Sequence, residues 1–219
     1  MRFLAVMFDL DGTLLDTLED IAASMNEALK RSGFPAHEVE RYRMMVGGGI
    51  DDLARRAVPC GAGGGAAGRV AADMREEYSR RWSDTTRPYP GIRRLLDGLS
   101  QAGVRRSVLS NKPDGFTVRL CERFFRPGDF DVVRGSVEGV PKKPDPAAAL
   151  AIAETMGIEP ARFIYLGDSG SDMKTAIAAG MYPAGALWGF RGADEIAAAG
   201  ARAMLKRPED VIRLFCSDN

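Results

Sequence analysis

Two aspartates near the N-terminus, Asp9 and Asp11, stand two residues apart in the sequence Asp-Leu-Asp-Gly-Thr. They follow a short apolar run, residues 3–8, which predicts a buried strand. Two carboxylates at the end of a buried strand lose hydration and repel each other, so their burial is costly unless a positive group lies between them. The pair therefore predicts a bound cation and two acidic groups with different roles.

Six further polar residues follow apolar runs that predict strands: Ser110 and Asn111, Lys142 and Lys143, and Asp168 and Asp172. From residue 88 onward, strands alternate with helices, and this alternation predicts a parallel sheet covered on both faces. Ligands of such sheets bind beyond the carboxyl ends of the strands. We therefore expect these residues to line one crevice together with the first two aspartates.

The residue types in this crevice predict phosphoryl transfer. Carboxylate oxygens suit Mg²⁺, which keeps several waters and binds one or two carboxylates together with phosphate oxygens. The Ser110 hydroxyl, the backbone N–H of Asn111 and a lysine form a phosphate cradle beside a helix N-terminus. Lys142 and Lys143 compete for the lysine role. The proline after Lys143 favours Lys143 and leaves Lys142 on the solvated surface.

The elements that position these residues form three parts of the chain. The first is the opening strand with its acidic loop, the second is a helical, Gly-rich segment without a convincing strand, and the third alternates strands and helices. We expect a doubly wound, Rossmann-like α/β core from residues 1–15 and 88–219, with an inserted helical domain at residues 16–87. Residues 85–90 are expected to be a linker.

Composition limits the possible partners and the compartment. The 219 residues contain 30 Lys plus Arg and 30 Asp plus Glu, so no basic excess points to nucleic acid or an anionic membrane. No stretch reaches the ~20 apolar residues of a membrane span, and the first apolar run is too short for a signal peptide. Three widely spaced cysteines indicate a reducing, cytoplasmic compartment. The single histidine, His37, excludes a Ser-His-Asp system.

Four motifs in register resemble those of the haloacid dehalogenase superfamily of aspartyl phosphotransferases. Residues 8–17 resemble the first motif, Ser110 the second, Lys143 in Lys-Pro-Asp-Pro the third, and residues 167–172 the fourth. One such motif alone would be weak, but the order, the spacing and the strand contexts all agree over nearly the whole chain.

The resemblance implies a mechanism residue by residue. Asp9 is expected to be the nucleophile that forms an aspartyl-phosphate, and Asp11 the general acid and then the base. Mg²⁺ is expected to bind the Asp9 carboxylate, the Asp11 backbone carbonyl and the Asp168 carboxylate, with Asp172 fixing metal-bound water. Lys143 offsets the negative charge of the phosphate. The superfamily's dehalogenases lack an acid at the position of Asp11.

The helical segment resembles the superfamily's alpha-helical cap, which closes over the crevice and selects the leaving group. Residues 46–53 and 188–191 resemble phosphoglycolate phosphatases more weakly. We expect Mg²⁺-dependent hydrolysis of a small phosphorylated metabolite, similar to phosphoglycolate. Alternatives are a beta-phosphoglucomutase-like phosphomutase, a pyrophosphatase or sugar-phosphate phosphatase, and a non-enzymatic relative. The substrate and the oligomeric state stay open.

Four residues keep a second interpretation at this point. Asp16, Ser110 and Asp172 are also suitable helix N-caps, because a short polar side chain can accept a hydrogen bond from the first turn. Arg191 is suited to a substrate carboxylate or to a surface carboxylate, and the surface is favoured.

Overall fold

The computed structural model describes residues 3–216. Within this range the chain forms eight strands: β1 Ala5–Phe8, β2 Leu15–Asp16, β3 Arg87–Pro88, β4 Arg105–Pro113, β5 Val132–Ser136, β6 Phe163–Gly167, β7 Tyr182–Ala186 and β8 Ala203–Leu205. It also forms ten α-helices: α1 Leu18–Arg31, α2 Val39–Tyr42, α3 Ile50–Ala57, α4 Ala66–Arg81, α5 Ile92–Gln101, α6 Asp114–Phe124, α7 Ala147–Met156, α8 Gly170–Ala178, α9 Ala193–Ala198 and α10 Arg213–Cys216. Short 3₁₀ helices cover Pro160–Arg162 and Pro208–Ile212.

Six strands form one parallel sheet in the order β5-β4-β1-β6-β7-β8. The central strand β1 is buried on both faces. Its residues Val6 and Phe8 face a core cluster that contains α5, whereas Ala5 and Met7 face another that contains α7. This alternation has the period of two that a strand requires, and it confirms the predicted doubly wound α/β fold.

Two strands have boundaries that the apolar runs of the sequence do not mark. Strand β5 starts at Val132 and ends at Ser136, although the apolar residues begin at Phe130. Phe130 instead packs edge-on against Phe8 and Phe125, which places it in the core before pairing with β4 begins. Strand β4 continues through the site residues to Pro113 instead of ending before them.

The segment from Leu18 to Arg81, which we call the helical insert, contains α1 to α4. Its helices α1, α3 and α4 pack together around an apolar cluster that includes Met25, Tyr42 and Tyr78. The division of the chain into a core domain and a helical domain stays a prediction of the sequence. Among the described residues, no helix is both long and apolar enough to cross a bilayer.

The expectation that this part of the chain lacks strands is wrong at its two ends. Strands β2 and β3 pair in antiparallel register where the chain enters and leaves the helical insert, with Leu15 opposite Pro88. The predicted linker therefore contains half of a two-stranded ribbon. Two residues per strand are too few for periodicity to reveal, so only the pairing defines them.

A buried carboxylate fixes this junction. Asp20, in the first turn of α1, accepts hydrogen bonds from the backbone N–H and the hydroxyl of both Thr85 and Thr86, at distances between 2.7 and 3.2 Å. These bonds tie the strand that leaves the helical insert to the helix that begins it. Asp20 is buried, and these hydrogen-bond donors compensate its negative charge.

Replacement of Asp20 tests this junction. In Asp20→Asn, one carboxylate oxygen becomes an amide N–H₂ that faces donors, so we expect the free energy of unfolding to fall by about 2 kcal/mol. The exposed neighbour Glu19 is the matched control, and Glu19→Gln should change it by less than about 0.5 kcal/mol. Denaturant titration measures both, and equal losses in the two variants would contradict the assigned role.

Candidate active site

The carboxyl ends of the central strands bring four charged side chains together. Asp9 follows β1, Asp168 follows β6, and Asp172 lies in the first turn of α8; their carboxylate oxygens approach within 4.8 Å of one another. The ammonium of Lys143 lies 2.8 Å from Asp9 Oδ1 and 2.7 Å from Asp172 Oδ1. All four side chains are buried. The structure therefore brings these four of the expected residues together.

Lys143, and not Lys142, reaches these carboxylates. The Lys143 backbone N–H donates to Asn111 Oδ1 at 2.9 Å, and Asn111 Nδ2 donates to the Lys143 carbonyl at 3.1 Å. This reciprocal pair fixes the loop after β5 against β4 and directs the ammonium inward, where it also donates to the Leu109 carbonyl. Lys142 is exposed.

Asp172 caps α8 from the third position of the helix rather than as its N-cap, and its expected role in fixing metal-bound water stays a prediction. Its Oδ2 accepts hydrogen bonds from the backbone N–H and the hydroxyl of Ser169, and Ser169 in turn accepts from the Asp172 backbone. This capping box begins α8 at Gly170. The other oxygen of Asp172 contacts Lys143, so one carboxylate stabilises the helix start and positions the lysine.

Ser110 and Asn111 lie in a bulge of β4. Leu109 pairs with Arg134 and Pro113 with Ser136, so three residues of β4 stand opposite one residue of β5. Such a bulge interrupts the regular ladder and redirects side chains next to a site. The alternative of Ser110 as an N-cap is wrong, because Pro113 occupies that position of α6 and Ser110 Oγ accepts from the Lys112 N–H at 3.2 Å.

Asp11 contacts a different set of residues from Asp9. Its carboxylate accepts a hydrogen bond from the Thr17 hydroxyl at 2.8 Å and lies 2.8 and 2.9 Å from the Lys112 ammonium. No role for Lys112 was predicted. The bulge of β4 breaks the two-residue alternation that would otherwise relate Lys112 to Ser110, so no local signal identifies it.

Asp16 does not occupy the N-cap position suggested for it. It lies on β2, 3.8 Å from Arg87, and its Oδ1 accepts a long hydrogen bond of 3.5 Å from the Leu18 N–H, whereas Thr17 occupies the N-cap position of α1.

Arg191 contacts the surface carboxylate of Glu195 at 3.6 Å, as favoured, but its own side chain is not at the surface. Its side chain is only 9% exposed, and its guanidinium donates to backbone carbonyls of the helical insert, at Arg43 and, at 2.8 Å, at Val46.

The buried carboxylates hold their protons unusually strongly. Burial, reinforced by the charge of Asp172, raises the pKa of Asp168 to about 7. Burial and Asp172 also raise the pKa of Asp9 well above its ordinary value, although Lys143 opposes the shift. Burial alone would lower the pKa of Lys143, but Asp172 and Asp9 raise it, so the ammonium stays charged. The three carboxylates thus lie around the single positive charge of the Lys143 ammonium.

This excess of negative charge fits a divalent cation. All the donors are oxygens, which suits a hard ion such as Mg²⁺. Two glycines also make room for Asp168, since a Cβ at Gly12 or at Gly189 would collide with its carboxylate. Gly12 further adopts a φ of +84°, which other residues rarely tolerate. Asp168 is held in place by the Phe190 N–H at 2.7 Å and the Thr13 hydroxyl at 3.3 Å.

Residues 6–186 match the family model of haloacid dehalogenase-like hydrolases. The chain belongs to this family. It is 35% identical to the phosphoglycolate phosphatase of Pseudomonas putida over 84% of this chain and 70% of that protein. It is 32% identical to phosphoglycolate phosphatase 1 of Pseudomonas aeruginosa, over 97% and 79% respectively.

Solved structures agree with this membership. A crystal structure from Lactobacillus delbrueckii subsp. bulgaricus superposes with a TM-score of 0.92 at 28% identity and covers 98% of both chains. That of a predicted phosphoglycolate phosphatase from Haemophilus somnus superposes with a TM-score of 0.91 at 26% identity, over 98% of this chain and 99% of that one. The family match and these relatives identify a phosphoric monoester hydrolase of a family whose phosphatases generally use a divalent metal.

The pKa directions predict a pH-dependent stabilisation by divalent cations. Because the folded-state pKa of Asp168 is raised, ionising it destabilises the metal-free fold as the pH rises from about 4 toward about 7. A cation must compete with a proton below this pKa and binds freely above it. We expect MgCl₂ to raise the melting temperature by several degrees at about pH 8 and much less at about pH 5.5. Differential scanning calorimetry measures the shift.

Asp168→Asn is the variant that assigns this effect to the carboxylate cluster. It should abolish the stabilisation by MgCl₂ at both pH values, whereas Asp145→Asn, at an exposed position of the neighbouring loop, should retain it. A shift of equal size in Asp168→Asn and in the wild type would place the cation elsewhere.

Proposed function

We propose that this protein hydrolyses a small phosphomonoester of the phosphoglycolate type, with Mg²⁺ as its cation and through an aspartyl-phosphate on Asp9. The main support is the buried cluster in which Lys143 contacts both Asp9 and Asp172 while Asp168 lies within 4.8 Å. The relatives named phosphoglycolate phosphatase support the substrate type.

In the first step, a carboxylate oxygen of Asp9 attacks phosphorus and the bond from phosphorus to the leaving oxygen breaks. Asp9 is oriented for this step by the Leu10 N–H, which donates to its Oδ1 at 2.7 Å, and by Lys143. Ser110 and the backbone of Asn111 bind the phosphoryl oxygens. Asp11 donates a proton to the leaving oxygen, and the alcohol departs.

In the second step, a water molecule attacks the phosphorus of the aspartyl-phosphate and gives its proton to Asp11. The bond between phosphorus and Asp9 breaks, so inorganic phosphate leaves and both aspartates return to their starting state. Mg²⁺ would be held by the Asp9 and Asp168 carboxylates and the Asp11 carbonyl, and it would neutralise the charge that separates an anionic nucleophile from an anionic phosphate.

The helical insert acts in this proposal as a cap that excludes water and contacts the leaving group. Asn111 Nδ2 donates to the carbonyl of Gly47 at 2.8 Å, and Arg191 Nη2 donates to that of Val46, so the glycine turn of the insert lies directly on the phosphate-binding strand. Residues of the insert and of the core together line the pocket that contains Asp9, Asp11 and Lys143.

Asp9→Asn is the direct test. An amide is a far weaker nucleophile than a carboxylate, so hydrolysis of p-nitrophenyl phosphate and of 2-phosphoglycolate should fall at least ~1,000-fold, as measured by phosphate release with MgCl₂ present. The far-ultraviolet circular dichroism should remain that of the wild type.

Asp16→Asn is the control for this variant, because Asp16 lies outside the cluster and should leave hydrolysis within about twofold of the wild type. Substantial activity in a folded Asp9→Asn protein would rule out the covalent pathway. Conversion of glucose 1-phosphate to glucose 6-phosphate by the wild type, without release of phosphate, would instead indicate a phosphomutase.

A further inference from the structure

A second buried lysine lies beside the site and has no role in the phosphoryl chemistry proposed above. The side chain of Lys112 is only 6% exposed, and its ammonium lies 2.8 and 2.9 Å from the two oxygens of Asp11. It also lies over the ring of Tyr78, 4.8 Å from the ring centroid. An ammonium has three N–H donors, so the two contacts with Asp11 leave a third, on the side of Tyr78.

Tyr78 brings a buried hydroxyl to the same place. It belongs to α4 of the helical insert and is 1% exposed, and within residues 3–216 its O–H proton has no acceptor, although its oxygen is close enough to the Lys112 ammonium to interact with it. Its ring packs edge-on against Phe116 at 5.0 Å, which fixes its orientation. Burial raises the pKa of Tyr78 to about 12, so the hydroxyl keeps its proton. A buried O–H group without an acceptor is costly, and one that lines a ligand pocket is suited to bind the ligand.

The rest of the insert's side of this pocket is apolar. Its lining side chains there are Ile21, Val46, Ile50, Leu53 and Met74. The guanidinium of Arg191 also lines the pocket, but it is engaged by backbone carbonyls and lies 3.6 Å from Glu195. Lys112 and Tyr78 therefore form one polar corner in an apolar wall. A sugar would leave several hydroxyls without partners against this wall.

We propose that Lys112 and Tyr78 bind a carboxylate of the leaving group and thereby select short phosphomonoesters that contain one. This inference rests on the proposed function, since it uses the pocket above Asp9 and the proton donor Asp11. Lys112 lies within hydrogen-bond distance of the residue that protonates the leaving oxygen. The carboxylate must accordingly be one or two carbons from that oxygen.

The alternative for Lys112 is that it only holds Asp11 in position. In that case its loss would slow every substrate alike, because each leaving group needs the same proton. Binding of a carboxylate predicts instead a loss confined to substrates that contain one. The ratio of two specificity constants separates these roles, whereas a single rate does not.

The experiment compares kcat/KM for 2-phosphoglycolate and for ethyl phosphate, whose methyl group stands where the carboxylate is. The wild type should prefer 2-phosphoglycolate. Lys112→Met should lower the ratio of the two constants about 100-fold, and Tyr78→Phe, which removes only the hydroxyl, about 5- to 10-fold. Lys142→Met is the matched control, since it removes the same charge from an exposed neighbouring position and should leave the ratio within about twofold.

Each other outcome has a distinct meaning. An unchanged ratio in Lys112→Met, or a wild type without preference, would overturn the carboxylate site while leaving the phosphatase intact. Failure of the wild type to hydrolyse either ester, or p-nitrophenyl phosphate, would overturn the proposed function itself. If Lys112→Met does not fold, Tyr78→Phe decides, because an unchanged ratio in that conservative variant contradicts the proposal.

Discussion

The shared ammonium of Lys143 is the contact on which this site depends. Three buried carboxylates near the ends of β1 and β6 repel one another, and Lys143 contacts two of them. Neighbouring residues hold Lys143 and its partner in place. Asn111 binds the Lys143 backbone, and the capping box of α8 orients Asp172. One positive charge against three negative ones leaves an imbalance that a divalent cation would correct.

The helical insert contacts the rest of the chain through more than one element. Phe116 of α6 packs on Tyr78, and Arg119 of the same helix lies 4.6 Å from the ring centroid of Trp82, which directly follows the insert. Arg191 donates to the Val46 carbonyl. Tyr78, Val46 and Arg191 all line the pocket that contains Asp9. In a low-dielectric, enclosed site the charges of the reacting groups interact more strongly than in water.

The sequence was most informative about polar residues that directly follow strands of the parallel sheet. Polar residues after apolar runs, as at Asp9 and Asp168, marked the strand ends, and a parallel sheet necessarily brings such ends to one edge. The strands β2 and β3 were missed because two-residue strands have no periodicity. The contact of Lys112 with Asp11 and the contacts of Arg191 with the insert were missed because they depend on how distant parts of the chain pack. That packing follows from long-range contacts, such as those of Tyr78, that no local pattern encodes.

A crystal structure of the wild-type protein with Mg²⁺ and beryllofluoride, a tetrahedral mimic of an aspartyl-phosphate, would show whether these groups share one phosphoryl site. We expect the mimic on a carboxylate oxygen of Asp9. We also expect Ser110 Oγ and Lys143 Nζ about 2.7–3.2 Å from its fluorines, and the cation between Asp9 and Asp168. A mimic bound to another residue, or one that neither Ser110 nor Lys143 touches, would contradict the account.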